Sequence, residues 1–224
     1  ERIETVLMRY SYGNSVCVST QVGCNMGCSF CASGFTKRKR HLDVSEMVLQ
    51  VMMIQQRMLA SNERISHIVV MGMGEPFDNY DNVIDFLYIM NDHKGLDIGA
   101  RHMTVSTCGI VPKIIAFSQL PLQINLAISL HFPNDDLRNQ HMPINKAYPL
   151  DDLFAALQTY YQRTKRRITF EYILIDGIND SIHHAQALVE RLKGLNCYVN
   201  LIPLNETKVK FRRSKQQTMN KFYQ

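Results

Sequence analysis

The chain has 224 residues, of which 46% are apolar and 20% are charged, and its formal net charge is +5. It is long enough for one sizeable core, and no apolar run reaches the roughly 18 residues that cross a bilayer. With no charged-then-apolar leader and only six cysteines, it is unlike a membrane protein or a secreted disulfide scaffold. We expect a monomeric, cytoplasmic protein without a membrane partner.

The first residues have the pattern of a β-hairpin. Apolar and polar residues alternate over residues 3–10 and 15–20, and Gly13-Asn14 lies between the two runs as a turn signal. After a loop that contains cysteines, apolar residues recur at helical spacing over residues 43–59, with Asp43 or Ser45 as the cap. We predict that the methionines of this helix pack in the core; they are Met47, Met52, Met53 and Met58.

The rest of the chain repeats a strand followed by a helix. Predicted strands cover residues 65–71, 102–106, 123–130, 167–175 and 198–202. Predicted helices cover residues 79–92, 110–117, 150–163 and 181–193, and a long polar connection precedes the helix at 150. Such alternation requires parallel pairing through right-handed crossovers, so the predicted fold is α/β, a partial (β/α)6 barrel with an N-terminal β-hairpin extension. We assign residues 1–20 to the hairpin and residues 14–224 to the barrel.

A cysteine motif is the strongest chemical signal in the sequence. Cys24, Cys28 and Cys31 have the spacing C-x3-C-x2-C, which gathers three soft thiolate ligands in one loop. A structural zinc ordinarily has four protein ligands and no second cysteine pair follows here, but zinc or no metal remains an alternative. The spacing, with an aromatic residue before the third cysteine, resembles the signature of the radical S-adenosylmethionine (SAM) enzymes.

That resemblance implies two cofactors. In radical SAM enzymes three cysteines hold three irons of a 4Fe-4S cluster, and SAM chelates the fourth iron through its amino and carboxylate groups. Barrels of this class carry their chemistry at the carboxyl ends of the strands. The polar or glycine-rich residues that we expect there are Cys24, Gly74, Glu75, Ser106, Ser129, Leu130, His131 and Asn205.

Six strings make the resemblance narrower. In chain order they are IETVL (residues 3–7), VCVSTQVGC (16–24), MGMGEP (71–76), VSTCGI (105–110), AISLH (127–131) and NLIPLN (200–205). They resemble the RlmN family, whose members are dual-specificity adenine-C2 methyltransferases of 23S rRNA and tRNA. The resemblance implies that SAM serves as methyl donor and as radical source, and that the methyl group passes through a methylcysteine.

The resemblance also implies catalytic roles by motif position. Glu4 is the base that removes the proton from carbon 2, and Cys17 is the thiol that resolves the protein–RNA adduct by forming a disulfide bond. From the residues alone, Glu4 also fits an ordinary solvated strand face. Cys17 also fits a small buried hydrophobe.

SAM-binding roles are implied in the same way. Glu75, after the flexible Gly74, receives the ammonium group of SAM, although a plain turn before Pro76 is the alternative. The ribose and carboxylate groups are bound by Ser106, Ser129, Leu130, His131 and Asn205, of which the last two also fit turn residues. We interpret Cys108 and Cys197 as structural.

Basic residues are clustered, which favours a nucleic-acid partner. Thirteen of the 25 fall in three runs, residues 37–40, residues 163–167 and residues 208–213 with Lys215. Such runs bind phosphate groups, or they are solvated loop and helix ends. The first run follows the cysteine loop, so RNA is expected to pass there, with its target base out of the stack. The expected partners are 23S rRNA, tRNA and an electron donor such as flavodoxin or ferredoxin.

Two other functions fit parts of the sequence. A Cfr-type enzyme uses the same chemistry on carbon 8 of adenine, but such sequences tend to have alanine after the glutamate, where Pro76 stands here. A non-enzymatic RNA-binding module that is stabilised by a bound metal needs only the basic runs and the cysteines. That module would leave Glu75, Ser106 and His131 unexplained.

The ends of the sequence suggest a piece of a longer protein. There is no initiator methionine, and residue 224 lies inside a helical pattern. We expect the family's small N-terminal domain and its C-terminal segment to be missing. The family's methyl-carrying cysteine lies past the sixth strand, and no cysteine follows Cys197. We therefore expect this chain to bind the cluster and SAM and to cleave SAM slowly, but not to methylate RNA.

Overall fold

A computed structural model describes residues 1–205 and 210–224. The strands of this part of the chain are β1 (Val6–Tyr10), β2 (Gly13–Cys17), β3 (Gln21–Val22), β4 (Arg40–His41), β5 (Ile65–Val70), β6 (Met103–Thr107), β7 (Asn125–Ser129), β8 (Ile168–Leu174) and β9 (Cys197–Pro203). Its α-helices are α1 (Val44–Leu59), α2 (Tyr80–Asn91), α3 (Val111–Phe117), α4 (Asp135–His141), α5 (Leu150–Thr164), α6 (Ile182–Leu192) and α7 (Gln216–Tyr223).

The predicted alternation of strands and helices is confirmed. From α1 onward, every predicted element is present with bounds within two residues of the prediction. None of the described helices is both long enough and apolar enough to cross a membrane. The chain divides into two compact units: the first unit comprises residues 1–25, 36–107 and 120–126, and the second unit comprises residues 26–35, 108–119 and 127–224.

The first unit contains a hairpin that continues into parallel strands, in the order β1-β2-β5-β6. β1 and β2 are antiparallel, whereas β2 pairs with β5 and β5 with β6 in parallel. Tyr10 lies opposite Gly13, so the turn is Ser11-Tyr12 and the predicted turn at Gly13-Asn14 is wrong. A Cβ on Gly13, which has φ +139°, would lie 2.2 Å from the Ser66 hydroxyl oxygen. This glycine therefore lets β2 begin close to β5.

The helices of the first unit cover its sheet with apolar side chains. On α1, Met47, Val51 and Met58 are at most 2% exposed. Met52 and Met53 are 46% and 50% exposed, so the prediction of a methionine-filled core is wrong for these two. Both lie on the solvent-facing side of this amphipathic helix, where no packing contact requires an apolar side chain.

A small antiparallel ribbon, β3 with β4, precedes α1. Gln21 lies opposite His41 and Val22 opposite Arg40. Helix α1 begins at Asp43, whose backbone N–H donates to Glu46 Oε2 at 2.9 Å, a capping interaction. The ribbon thus fixes the backbone at one end of the first basic run, at Arg40.

The second unit contains β8 and β9, which are parallel over their whole length from Ile168 opposite Cys197 to Leu174 opposite Pro203. Side chains alternate along β8 as expected for a strand covered on one face by helices. Phe170 stacks on Phe154 of α5, and the Tyr172 ring lies 5.2 Å from that of Phe222 in α7.

Helix α4 was not predicted, because its residues are mostly polar. Its cap is Asn134, whose side chain accepts the N–H of Leu137 at 3.0 Å. Arg138 and His141 of this helix are 0% and 6% exposed, so the polar pattern does not mean solvation here. The predicted polar connection therefore contains a short helix, and two of its polar side chains, Arg138 and His141, are buried.

Candidate metal centre and cofactor site

The cysteine motif begins in the first unit, directly after β3. The backbone N–H of Cys24 donates to the Thr36 carbonyl at 2.8 Å. Gly23 has φ +81°, and a Cβ on it would lie 2.4 Å from the Lys37 carbonyl oxygen. Because position 23 is glycine, the backbone of residues 36–37 packs directly against the start of the motif.

The other two cysteines of the motif, Cys28 and Cys31, lie in the second unit, in a tightly turned loop. The Cys31 N–H donates to the Cys28 carbonyl at 3.2 Å, and the Gly34 N–H donates to the Cys31 carbonyl at 3.0 Å. Phe30, between them, is only 8% exposed, and its ring centroid lies 4.9 Å from that of His131 and 5.8 Å from that of Phe132. The aromatic residue of the motif is therefore the side chain that anchors this loop in the core.

The three cysteines form a donor set that suits an iron–sulfur cluster. They are half-buried, and none of them is in a disulfide bond. No three His, Cys, Asp or Glu side chains in the described ranges converge on the position of a single metal ion. A 4Fe-4S cluster does not require such convergence, because each cysteine holds a different iron. The residues present therefore fit the cluster.

Glu75 is a buried carboxylate at the carboxyl end of β5. It is 4% exposed, and its Oε1 accepts hydrogen bonds from the Thr107 hydroxyl at 2.7 Å and from the Phe77 N–H at 3.0 Å. Gly74 has φ +108°, and a Cβ on it would lie 2.7 Å from Gln21 Cβ, so this position also requires glycine. The carboxylate is thus held in one place, as binding an ammonium group requires.

Gln21, three residues before Cys24, connects Glu75 to the cysteine motif. It is completely buried; its Oε1 accepts the Glu75 N–H at 2.9 Å, and its Nε2 donates to Asp78 Oδ2 at 2.9 Å. Asp78 in turn forms an ion pair with Arg38 of the first basic run. Sequence reasoning missed Gln21, although it lies within the string VCVSTQVGC.

The predicted SAM-binding residues after β7 lie in the second unit. The N–H groups of Leu130 and His131 both donate to the Glu171 carbonyl at 3.1 Å. His131 is in the left-handed region with φ +59°, and its Nδ1 accepts the Ile173 N–H at 3.1 Å. Burial lowers the pKa of His131 to about 3, so the ring is neutral near pH 7. Because Nδ1 is an acceptor, the proton of the neutral ring is on Nε2.

Other predicted residues differ in exposure. Ser129 lies at the end of β7 and is half-buried, whereas Ser106 of the first unit lies in β6 and is 8% exposed. Asn205 is exposed and follows the buried Leu204. Burial therefore differs among the candidate SAM-binding residues, and Asn205 lies open to solvent.

Glu4 and Cys17 lie on the first unit's hairpin region. Glu4 is exposed and precedes β1, and its carbonyl accepts the Ser19 hydroxyl at 2.6 Å. Cys17 ends β2 and lies opposite Val6. Burial raises the pKa of the Cys17 thiol, so it is protonated near pH 7 and needs a base before it can act as a nucleophile.

None of the six cysteines forms a disulfide bond. The disulfide bond that the family resemblance implies is therefore not supported, and that prediction is corrected. The physical reason is that no second cysteine lies near Cys17.

The first basic run is not a uniform patch of positive charge. Arg38 pairs with Asp78, and Arg40 pairs with Glu1 and Glu46 at 2.7 Å each. Lys37 and Lys39 are exposed, and neither forms an ion pair with a side chain of the described residues. Ion pairs among the described residues thus engage two of the four charges, those of Arg38 and Arg40.

The second and third basic runs differ from the first in what the structure shows of their contacts. In residues 163–167, Arg167 lies over the Tyr198 ring, 3.6 Å from its centroid, and Arg163 donates to the Ser118 hydroxyl. The start of the third run, Lys208, lies outside the described residues. The second run is therefore partly engaged with its own unit.

Comparisons with known proteins show which family the chain belongs to. The profile of the Radical SAM superfamily matches residues 18–189, which include the cysteine motif and Glu75. The chain belongs to the radical SAM superfamily. The expected cofactors, a 4Fe-4S cluster and SAM, are those of this superfamily and are confirmed.

Among curated proteins, the chain is similar to the probable dual-specificity RNA methyltransferase RlmN of Spiroplasma citri, with 58% identity over 100% of the chain and 64% of that protein. The protein of the same name from Geobacillus kaustophilus is 60% identical over 91% of the chain and 56% of its own length. The predicted resemblance to the RlmN family is confirmed. The chain spans 56% and 64% of the lengths of these two relatives.

Solved structures bear out the fold. The chain matches a radical SAM methyltransferase from Sphaerobacter thermophilus with a TM-score of 0.96 and 48% identity, over 98% of this chain and 65% of that one. SuiB of Streptococcus suis bound to S-adenosylmethionine matches with a TM-score of 0.62 and 14% identity, over 92% of this chain and 46% of that one. The similarity to SuiB shows only that the two proteins share a fold. The predicted α/β partial barrel is confirmed.

Proposed function

We propose that this chain is the catalytic part of a radical SAM methyltransferase that acts on carbon 2 of an adenosine in 23S rRNA and in tRNA. One contact carries the proposal. The Glu75 N–H donates a hydrogen bond to Gln21, 54 positions earlier in the chain. This bond connects Glu75, the residue proposed to bind SAM, to the segment that leads into Cys24. The names of the similar proteins support the RNA substrate.

In this proposal the chain's residues bind and orient the cofactors. Cys24, Cys28 and Cys31 hold three irons, and Glu75 receives the ammonium group of SAM. The neutral His131 and its neighbours Ser129 and Leu130 contact the ribose and carboxylate groups, together with Ser106 and Asn205. When bound, the cluster supplies the electron that cleaves SAM reductively.

A radical route suits the proposed target atom. Carbon 2 of adenine is neither acidic nor nucleophilic, so the direct attack on the SAM methyl group used by other methyltransferases does not work there. After carbon–carbon bond formation, a proton must leave carbon 2 and the link to the protein must break. We assign the first task to Glu4, whose exposed carboxylate is accessible to RNA. We propose that Cys17 acts in the second task only together with a methyl-carrying cysteine from outside these 224 residues.

A chimera tests the function. In it, residues 1–224 replace the matching segment of the Spiroplasma citri relative, and the reconstituted, reduced protein is incubated with rRNA and tRNA. We expect mass spectrometry to detect 2-methyladenosine in both RNAs. Detection of 8-methyladenosine would support the Cfr-type alternative. An intact, SAM-cleaving chimera that modifies neither RNA would contradict the proposal.

The 224-residue chain by itself is expected to behave differently. It should cleave SAM slowly to 5'-deoxyadenosine yet leave RNA unmodified, because no cysteine follows Cys197 to carry the methyl group. The same mass spectrometry, run beside the chimera, measures this. If the chain alone yields 2-methyladenosine, then a cysteine such as Cys108 or Cys197 carries the methyl group, and our assignment is wrong.

We further propose that Lys37 and Lys39 contact the RNA backbone. The double variant K37A/K39A should bind a fluorescent hairpin RNA more weakly, and the slope of log affinity against log salt should fall by about two units, since each phosphate contact contributes roughly one. Anisotropy titrations at several salt concentrations give the slope. The control K94A/K221A removes two exposed lysines from other segments. Equal slopes for the two variants would mean that the run is merely solvated.

The remaining proposals concern the cell. Reductive cleavage of SAM needs an electron donor, and flavodoxin or ferredoxin would serve. An rRNA and tRNA substrate places the protein in the cytoplasm. We propose that it acts there as a monomer.

A further inference from the structure

Arg138 of α4 is a completely buried cation, at 0% exposure. Its guanidinium donates to the Cys108 carbonyl at 2.6 Å and to Asn145 Oδ1 at 2.7 Å, and more weakly to the carbonyls of Leu130 at 3.3 Å and Ser129 at 3.4 Å. Among the described residues no carboxylate lies within ion-pair distance of it. The protein thus buries a positive charge against neutral oxygen atoms.

Such burial is costly. A charge removed from water loses its hydration, and hydrogen bonds to neutral carbonyls restore only part of that free energy. Desolvation accordingly lowers the pKa of Arg138, while Cys108, Cys28 and the Asp135 carboxylate, which Asn145 bridges to Arg138, oppose that shift electrostatically. An apolar side chain would fill the same space at less cost, so the charge itself needs an explanation.

The acceptors of Arg138 indicate where it acts. Three of them are backbone carbonyls at or just after the ends of β6 and β7, and two of these belong to Ser129 and Leu130, the residues proposed to bind SAM. One side chain therefore holds the backbone at Cys108 and the backbone at Ser129-Leu130 at a fixed separation within the second unit. The planar fork of arginine matches several acceptors at once, which a lysine cannot do.

The same helix also supports the cysteine loop. At the end of α4, the His141 carbonyl accepts the Ser29 N–H at 3.0 Å, and His141 Nδ1 lies 2.9 Å from the Ser29 hydroxyl. Ser29 lies between Cys28 and Cys31, and Leu137, next to Arg138, packs in the apolar cluster that includes both cysteines. Helix α4 therefore connects two of the cluster ligands to the strand end proposed for SAM.

We infer that Arg138 is a positioning residue that holds the Ser129–Leu130 backbone for SAM and supplies a fixed positive charge beside the cysteine loop. This inference rests on the proposed function. Because reduction adds one negative charge to the cluster, a buried cation nearby stabilises the reduced form and raises its reduction potential. Without that charge, reduction would need a stronger donor.

Two substitutions separate the charge from the geometry. Arg138→Gln removes the charge and keeps an amide N–H donor. Arg138→Lys keeps the charge but loses the planar guanidinium that donates to several acceptors at once. Arg163→Gln is the control, since it removes an exposed arginine of α5 in the same unit. Each protein is reconstituted, analysed for iron and sulfide, titrated potentiometrically with EPR detection, and tested for SAM binding by calorimetry.

We expect Arg138→Gln to lower the equilibrium constant for one-electron reduction at least tenfold, which is about 59 mV toward negative potential. Arg138→Lys should keep the wild-type potential, and both variants should bind SAM more weakly by tenfold or more. The control should match wild type in both measurements. An Arg138→Gln protein with wild-type potential and SAM affinity would reduce Arg138 to a structural role and overturn the inference.

Misfolding of one variant leaves the inference testable. If Arg138→Gln does not assemble a cluster, Arg138→Lys decides: wild-type affinity for SAM in a folded lysine variant would refute the positioning role. Failure of the proposed function is distinguishable, because a wild-type protein without a reducible 4Fe-4S signal would refute that function before any variant is compared.

Discussion

Alanine variants of Cys24, Cys28 and Cys31, made one at a time, are each expected to lose the visible absorbance of the cluster and the cleavage of SAM together. Three cysteines bind three of the four irons and leave the fourth iron for SAM. Removal of one cysteine leaves a second iron without a protein ligand. Anaerobic reconstitution followed by iron and sulfide analysis, absorbance and 5'-deoxyadenosine release measures the effect.

Cys197→Ala is the matched control. Cys197 is also a half-buried free thiol, but it begins β9 and lies outside the motif. This variant should keep its iron, sulfide and SAM cleavage. If one of the three motif variants still cleaved SAM, the ligand assignment would be wrong, and a colourless wild-type protein containing zinc would favour the non-enzymatic module.

Glu75→Gln is expected to retain the cluster but to bind SAM about 10- to 100-fold more weakly. The glutamine oxygen can still accept the bonds from Thr107 and Phe77, so the fold is preserved while the charge is lost. A hydrogen bond to a charged group contributes about 1.5–3 kcal/mol, and about 1.4 kcal/mol corresponds to tenfold in affinity. Calorimetric titration of the reconstituted protein with SAM gives the affinity.

Glu63→Gln serves as its control, because Glu63 is a carboxylate of the same unit that pairs with Arg9 at the surface. Its affinity for SAM should equal that of wild type. An unchanged affinity in Glu75→Gln would remove Glu75 from the SAM site, and loss of the cluster in that variant would assign it a structural role instead.

Much of the fold was predictable because two periodicities recur along the chain. Strands such as β5 and β8 are short apolar runs, and helices such as α1 and α5 bury one stripe, so local pattern and tertiary burial agree. The turn of the hairpin was misplaced because Gly13 is required for close approach to Ser66, not for a turn. Only the neighbouring strand distinguishes these two uses of a glycine.

Helix α4 illustrates a second limit of pattern reading. Arg138 and His141 lie in the predicted polar connection, yet both are buried, with hydrogen bonds to backbone carbonyls and to Ser29. The first basic run is similar: four adjacent charges look equivalent in sequence, but Asp78, Glu1 and Glu46 engage Arg38 and Arg40. In both cases the partners are contributed by other elements.

By itself the sequence determined the three-cysteine motif, the alternation of strands and helices, and the strings that resemble one family, since spacing and period are local properties. Tertiary structure decided which polar groups act together: Gln21 with Glu75 and Thr107 in the first unit, and Arg138 with the carbonyls of Cys108 and Leu130 in the second. Bonds such as those of Glu75 to Gln21 and Thr107 join residues 32 to 54 positions apart. Burial makes such bonds strong and specific, and only the folded chain determines which groups are buried together.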